Sequence, residues 1–385
     1  MKLLEFMSAK YSIDRMPAFT GLTKGQASLE YREGLVPGFS ASGQDIWVPQ
    51  ELAGGRGDGL VLSSVGARCG KVFRVQAAAW GTVANTSAFR PRAGFDPGYL
   101  TYFFDREEFW IKGGAAQPYV QEHASLAQQM PILTLPEQRA IADYLDQETA
   151  QIDTLVAKQE EFIGLLRERR SAEISHAVQA APSRVKLKYV AGAGQYGLNF
   201  SASEYVNAGT RLLRTSDLVG GRMTPSSDGI FVPEQAVSER DRLASGDLLL
   251  SRSGTVGRGF VVPPEAEGMT FAGFLVRFRP KPDMDGRYLG YCTQTAEFQR
   301  VVQSEAVSST IQNFNADRYG NVDIPMLPID AQLRVVNRLD EQTAQIDALI
   351  SKAGEHIALA KERRAALITA AVTGQLDVRT SRKAG

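Results

Sequence analysis

The segment LDQETAQID (residues 145–153) recurs 194 residues further along the chain as LDEQTAQID (residues 339–347). The match extends without gaps over residues 131–178 and 325–372, where about 22 of 48 positions are identical. This period is too long for a solenoid repeat, whose units span about 20–45 residues. The repeat therefore indicates the duplication of a larger unit, made of a domain and the segment that follows it.

Both copies of the repeat are predicted to be long helices, because they are rich in Ala, Leu, Glu, Gln, Arg and Lys. Each copy carries an apolar stripe with steps of three and four residues, which is the spacing of a coiled coil. The predicted helix-pairing residues are Leu145, Ile152, Val156, Ile163 and Leu166 in the first copy and Leu339, Ile346, Ile350 and Ile357 in the second. A helix of roughly 40 residues is about 60 Å long. We expect the two copies to pair with each other in antiparallel orientation; a generic helical hairpin is the alternative.

The rest of the chain is rich in Gly, Ser and Pro, with short apolar runs such as residues 60–62, 72–75, 247–250 and 274–278. These runs are typical of short strands bounded by turns, and residues 97–110 and 286–302 have helical patterns. The predicted fold class is α/β (α+β), with two mixed α/β domains separated by two long antiparallel coiled-coil helices. The predicted boundaries are 1–130 for domain 1, 131–180 for the first helix, 183–324 for domain 2, and 325–379 for the second helix and tail.

The two predicted domains resemble each other only weakly. GDGLVLS (residues 57–63) is similar to GDLLLS (residues 246–251), and FRPR (residues 89–92) is similar to FRPK (residues 278–281). The duplicated helices have stayed alike whereas the duplicated domains have diverged. Two scaffold segments with one role, and two domains with different specificities, would produce this pattern.

The charge and cysteine content limit the class of protein. The formal net charge is +0, which counts against a simple basic nucleic-acid-binding domain. The charge is unevenly distributed, however, since residues 55–92 hold six basic side chains and one acid, Asp58. The two cysteines, Cys69 and Cys292, lie far apart in the sequence, which favours a reducing cytoplasm over a disulfide scaffold. There is no apolar run long enough for a membrane helix and no secretory signal pattern, so a cytoplasmic location is expected.

The sequence contains no recognisable catalytic constellation. GARCGK (residues 66–71) is one residue too short for a phosphate-binding loop, and Val72 stands where such a loop needs Ser or Thr. The glycines of residues 54–59 do not fit a dinucleotide-binding turn, and the chain lacks the Asn-Pro-Pro-aromatic segment of base methyltransferases. We therefore predict no catalytic residue, no metal site and no cofactor of this chain's own.

The side chains of Arg, Lys, Gln and Ser in loops commonly contact base edges and phosphates. Loop residues of these types are therefore the candidate DNA contacts. In domain 1 the candidates are Ser40, Ser42, Gln44, Arg68 and Lys71. In domain 2 they are Arg214, Thr215, Ser216, Arg252, Ser253, Thr255 and Arg258.

The order of domains and helices resembles the specificity subunits of type I restriction–modification enzymes. The similar segments are LPEQ (residues 135–138) and the weaker LPIDAQ (residues 327–332) at the helix starts, the two Gly-Asp runs, and the ending TGQLDVR (residues 373–379). The resemblance implies a non-catalytic protein that binds double-stranded DNA. Each domain would read one half of an asymmetric bipartite site, and the helices would set the gap between the halves.

The same resemblance implies that two modification (methyltransferase) subunits, which carry the S-adenosylmethionine site, dock on the chain, and that restriction (motor–nuclease) subunits join them. Three alternatives stay open. The first alternative is the recognition subunit of another phage-defence complex. The second is a coiled-coil scaffold without a DNA role, and the third is a nuclease or methyltransferase fused to a coiled coil.

Overall fold

The structure is a computed structural model that describes residues 9–10, 14–15, 28–126, 128–130, 133–219, 222–223, 229–254, 256–306 and 314–378. The chain divides into two compact units. Unit 1 comprises residues 1–160 and 355–385, and unit 2 comprises residues 161–354. Among the helices that are described, none combines the length and the apolar character needed to cross a bilayer.

Domain 1 contains twelve strands and two short helices within the described ranges. The strands are β1 (Ala9–Lys10), β2 (Asp14–Arg15), β3 (Leu35–Ser40), β4 (Gly43–Pro49), β5 (Gly55–Arg56), β6 (Gly59–Ser63), β7 (Val72–Val75), β8 (Ala79–Thr82), β9 (Thr86–Arg90), β10 (Lys112–Gly113), β11 (Tyr119–Val120) and β12 (Gln129–Met130). The helices are α1 (Pro97–Phe104) and α2 (Glu122–Leu126), and the long helix α3 (Leu135–Gln179) follows.

Domain 2 has a matching set of elements. Its strands are β13 (Ser183–Lys186), β14 (Gln195–Tyr196), β15 (Thr210–Leu213), β16 (Leu218–Val219), β17 (Arg222–Met223), β18 (Ile230–Val232), β19 (Leu248–Ser251), β20 (Gly259–Val261), β21 (Thr270–Phe271), β22 (Leu275–Phe278) and β23 (Asp323–Met326). Its helices are α4 (Leu187–Ala191), α5 (Gly286–Gln294), α6 (Ala296–Ala306) and α7 (Ala316–Gly320), and the second long helix is α8 (Ile329–Val372).

The sheets of the two domains have similar topologies, although β5 has no counterpart among the described strands of domain 2. Domain 1 has one sheet in the order β2-β9-β6-β7 and a second in the order β4-β3-β8-β5. Domain 2 has the corresponding orders β14-β22-β19-β20 and β18-β15-β21. In both second sheets the central pair, β3 with β8 and β15 with β21, is parallel. The weak similarity between the domain sequences therefore corresponds to a shared fold, and the predicted fold class is confirmed.

The central strands form because their apolar runs are buried on both faces. Every residue of β6 and of β19 is buried. A strand that is covered on both faces needs an almost wholly apolar sequence. Strand β22 begins at Leu275, one residue later than the sequence pattern indicates, and Phe274 before it is exposed. Helix α1 ends at Phe104, where the pattern extends to residue 110, and Asp96 caps its start by accepting from the Tyr99 amide at 2.9 Å.

The last turns of the long helices complete the domain cores. In unit 2 the core includes Ile174, Ala177 and Val178 from the end of α3. In unit 1 it includes the repeat-equivalent residues Ile368, Ala371 and Val372 from the end of α8. Each unit thus contains the first part of one long helix and the last part of the other.

Ion pairs join the two helices within each unit. In unit 1, Arg364 Nε lies 3.0 Å from Asp153 Oδ1, and Lys361 Nζ lies 3.8 Å from Glu160 Oε1. In these two pairs, the residue with the higher number on α8 contacts the residue with the lower number on α3. The two helical segments are therefore antiparallel. In unit 2, the repeat-equivalent pair Arg170 Nε and Asp347 Oδ1 is also 3.0 Å apart. Of the predicted stripe residues, Leu145, Ile152, Leu166, Leu339 and Ile346 are buried, and Val156, Ile163, Ile350 and Ile357 are half-buried.

A buried glutamine fixes the start of each long helix to its domain. In unit 1, Gln138 Nε2 donates to the carbonyls of Gly94 (3.1 Å) and Leu133 (3.0 Å), and its Oε1 accepts from the Asp96 amide at 2.8 Å. In unit 2, Gln332 makes the same three bonds, to the carbonyls of Asp283 and Leu327 and from the Asp285 amide. Both side chains are almost fully buried, so their bonds satisfy groups that water does not reach.

A tyrosine adds a second equivalent contact about two helical turns further along each long helix. Tyr102 Oη donates to Asp146 Oδ1 at 2.7 Å, and Tyr291 Oη donates to Asp340 Oδ1 at 2.6 Å. Burial raises the pKa of Tyr102 and of Tyr291 to about 12. Both hydroxyls therefore stay protonated and able to donate at neutral pH.

Candidate nucleic-acid interface

In domain 1 the candidate DNA contacts come from two loops that touch each other. The turn after β3 is held by Ser40 Oγ, which donates to Asp45 Oδ2 at 2.6 Å and accepts from the Ser42 amide at 3.0 Å. Arg68, on the loop between β6 and β7, donates from Nη1 to the Ser42 carbonyl at 3.4 Å. Two segments chosen separately from the sequence thus form one surface, on which Arg68 and Lys71 are exposed.

Two domain 1 candidates have other contacts. Lys71 Nζ lies 3.2 Å from Asp105 Oδ2. Gln44 lines a cavity of about 450 Å³ in unit 1, whose lining also includes Arg74, Asp146 and Arg364. A surface lysine pair of this kind is worth little in free energy and breaks readily, so Lys71 keeps the capacity to contact a phosphate.

In domain 2 the corresponding loops surround a cavity of about 300 Å³. Thr215 and Ser216 come from the loop after β15, and Ser253 and Arg258 come from the loop between β19 and β20; all four line the cavity. Arg258 is exposed. Thr255, another candidate, lies outside the described residues.

Two domain 2 arginines are held by neighbouring side chains. Arg214 donates from Nε and Nη2 to the carboxylate of Asp217, at 3.1 and 2.8 Å, and Asp217 is buried. This hydrogen bonding raises the pKa of Arg214, so its guanidinium stays charged. The guanidinium carbon of Arg252 lies 4.7 Å from the centroid of the Tyr196 ring, which is cation–π distance. These contacts order both side chains before any ligand binds.

The candidate loops occupy equivalent places in the two domains. Phe39 pairs with Thr82 in the parallel strands of domain 1, and Leu213 pairs with Phe271 in those of domain 2. The turn at residues 40–44 therefore corresponds to the loop at residues 214–216. The hairpins β6–β7 and β19–β20 likewise align the loop that carries Arg68 and Lys71 with the loop that carries Arg258. Duplication has therefore left the same two loops in each domain, with different side chains on them.

A third loop adjoins the other two, and the sequence analysis missed it. In domain 1 the Ser64 amide donates to the Asn85 carbonyl at 2.9 Å, and in domain 2 the Arg252 amide donates to the Phe274 carbonyl at 3.0 Å. Asn85 has a φ of 67°, a left-handed conformation that Asn tolerates better than most residues. The isolated Asn-Thr after a short strand is the available signal for Asn85, whereas the sequence pattern places Phe274 in a short strand.

Comparisons with known proteins agree with the resemblance inferred from the sequence. The chain is 22% identical over 187 residues to the specificity subunits of the type I restriction enzymes StySPI of Salmonella potsdam and EcoKI of Escherichia coli strain K12. The chain is similar to type I specificity subunits. The matched part is 47% of this chain and 39% of the length of each relative, so the chain spans well under half of the specificity subunits that it matches. No family model matches it.

The fold agrees over a longer range. A chain from a structure of the type I restriction–modification system superposes with a TM-score of 0.70, covering 98% of this chain and 97% of that one at 16% sequence identity. At this identity the similarity extends to the fold alone. It includes both domains and both long helices.

The side chains that could bind a metal ion lie apart from one another in the described part of the chain. No group of three or more His, Cys, Asp or Glu side chains is placed to hold a metal ion in the ranges that the structure describes. Cys69 and Cys292 are both buried, and burial raises the pKa of the Cys292 thiol. A buried thiol with a raised pKa is a poor nucleophile, and Cys292 packs in the core of unit 2.

Proposed function

We propose that this chain is the DNA-recognition subunit of a type I restriction–modification complex. Domain 1 contacts one half of an asymmetric, split target and domain 2 contacts the other half. The observation that carries the proposal is that the two domains share a similar sheet topology and present the same three loops, yet carry different side chains on them. Two domains with similar sheets but different side chains on their loops are suited to the recognition of two different half-sites.

The chain contributes binding and has no chemistry of its own. Methyl transfer belongs to two modification subunits, which bring S-adenosylmethionine and dock on this chain, and motor–nuclease subunits join them for restriction. The similarity to the StySPI and EcoKI specificity subunits supports this assignment. The long helices, which belong to both units, are the parts best placed to link the two recognition events.

Reconstitution tests the proposal. The purified chain should shift double-stranded DNA with an affinity that falls steeply as salt rises, because phosphate contacts release counterions. It should transfer no methyl group alone, and should direct sequence-specific methylation once a type I modification subunit from the same genome and S-adenosylmethionine are added. Methyl transfer by the chain alone would make it an enzyme. A lack of DNA binding at low salt would favour the scaffold alternative.

A further inference from the structure

The domain 2 cavity, defined by its lining residues between Thr215 and Leu275, has the character of a binding site for a flat ring. Its apolar lining consists of the buried side chains of Leu218, Phe260 and Leu275. Its polar lining includes Thr215, Ser216 and Ser253 and the exposed Arg258. The volume of about 300 Å³ equals that of roughly ten waters at about 30 Å³ each. This is far more space than a methyl group at the edge of a base pair would fill.

An exposed aromatic side chain immediately precedes, in the sequence, a residue that lines this cavity. Phe274 is 62% exposed, and the next residue, Leu275, lines the cavity. The Phe274 carbonyl accepts from the amide of Arg252, whose neighbour Ser253 also lines the cavity. Large apolar side chains are usually buried, and on a DNA-binding surface an exposed one can insert between stacked bases.

Domain 1 is built differently at the equivalent positions. The counterpart of Phe274 is Asn85, an exposed amide that can bond to a base edge. The counterpart of Phe260 is Phe73, and the turn of residues 40–44 packs on it, since a Cβ at Gly43 would lie 3.2 Å from its ring. Phe73 also lines the domain 1 cavity that contains Gln44, so the exposed aromatic side chain at this position is what distinguishes domain 2.

We propose that domain 2 holds one base of its half-site out of the double helix. Phe274 takes the place of that base in the stack, and the base enters the domain 2 cavity against Leu218, Phe260 and Leu275. The hydroxyl groups of Thr215, Ser216 and Ser253 contact its edges. Extruding a base costs free energy, which contacts with the aromatic and apolar side chains offset. This inference rests on the proposed function, because it names the ligand of the same loops.

The test uses the full chain without a methyltransferase, so that no partner can extrude a base. Duplexes carry 2-aminopurine at each position of the second half-site in turn, with the target taken from methylome sequencing. Fluorescence should rise on binding at one position. A mismatch at that base pair should tighten binding several-fold, because a weakly paired base is easier to extrude.

Variants assign the effect to residues. Phe274→Ala should abolish the fluorescence rise and weaken binding about tenfold, the scale of one base–aromatic stack. Ser216→Phe, which fills the cavity, should abolish the rise, whereas Phe274→Leu should keep most of it. Tyr189→Ala, which removes an aromatic side chain in α4 that is 60% exposed, is the matched control and should leave the rise unchanged.

Two results would overturn the extruded base while leaving the proposed function intact. The chain could bind its target without a rise in fluorescence at any position, or a mismatch could weaken binding at every position. A rise that survives both Phe274→Ala and Ser216→Phe would also overturn it. A chain that does not bind DNA would overturn both proposals.

Discussion

The buried glutamines at the helix starts are single residues on which the attachment of each long helix depends. Each side chain is almost fully buried and makes three hydrogen bonds to backbone groups. Gln332→Ala should leave those groups unpaired and lower the free energy of unfolding by about 1–3 kcal/mol. Chemical denaturation of the full chain measures this. The exposed Gln151→Ala is the control, expected to change stability by less than about 0.5 kcal/mol; equal effects of the two variants would contradict the role of Gln332.

Arg258 is the residue whose replacement best separates the two kinds of DNA contact. If its guanidinium reads a guanine, Arg258→Ala should relax specificity at one base pair of the second half-site, at a cost of about 1–3 kcal/mol. If it contacts a phosphate, binding should weaken evenly over sequences and the salt slope should fall by about one. Arg240→Ala, at an exposed arginine elsewhere in domain 2, is the control. The absence of either change would remove Arg258 from the interface.

At the residue scale, side-chain chemistry indicates candidate polar segments in each domain, but it predicts neither which segments lie together nor what each residue does. The structure places residues 40–44 against Arg68, and Thr215 and Ser216 beside Ser253 and Arg258. Arg214 also donates a hydrogen bond to Asp217. The three-residue spacing allows this bond, but the sequence alone does not predict it. Asn85 and Phe274 were missed because their position depends on pairing between strands distant in sequence, and periodicity within one segment carries no information about that pairing. The DNA contacts themselves stay predictions.

At the element scale, the helices were the easiest part of the fold to predict. Their periodicity is local and their composition is strongly helical, so α3 and α8 begin and end within a few residues of the expected bounds. The short strands were predicted where apolar runs are buried on both faces, as in β6 and β19. The sheet order could not be predicted, because two-residue strands such as β14 are defined by their partners and not by their own sequence.

The antiparallel pairing of the helices predicts how the gap in the DNA target can be changed. Inserting one heptad between Glu160 and Glu161 and another between Gly354 and Glu355 leaves the contacts within each unit intact, since these are the unit boundaries. Each helix should lengthen by about 10 Å, and the gap in the target should lengthen while both halves stay the same. Methylome sequencing measures the gap. A single insertion should shift the register and reduce DNA binding; an unchanged gap after the double insertion would show that the helices do not set it.

At the scale of the whole molecule, the duplication predicts the behaviour of a half-chain. Residues 1–180 lack the turn of Ile368, Ala371 and Val372 that completes the core of unit 1. A second copy can supply the equivalent Ile174, Ala177 and Val178, and its Arg170 can pair with Asp153, as Arg364 does in the full chain. We therefore expect a symmetric antiparallel dimer, which analytical ultracentrifugation would detect.

A matched pair of variants sharpens the half-chain experiment. Ile174→Asp should prevent the dimer, because a charge would enter the core of the second copy. Arg169→Ala, at a position that is 70% exposed, should leave the dimer intact. A well-folded monomer formed by residues 1–180 would mean that the helices do not pair in the way described.

The central claim, that two unequal domains read two unequal half-sites, is tested most directly by methylome sequencing. The chain would be expressed with its modification subunit in a host without other adenine or cytosine methylation. The account predicts one methylated motif that is split and asymmetric, with unspecified bases between its halves, and predicts that Arg258→Ala alters one half alone. A continuous or palindromic motif would contradict it.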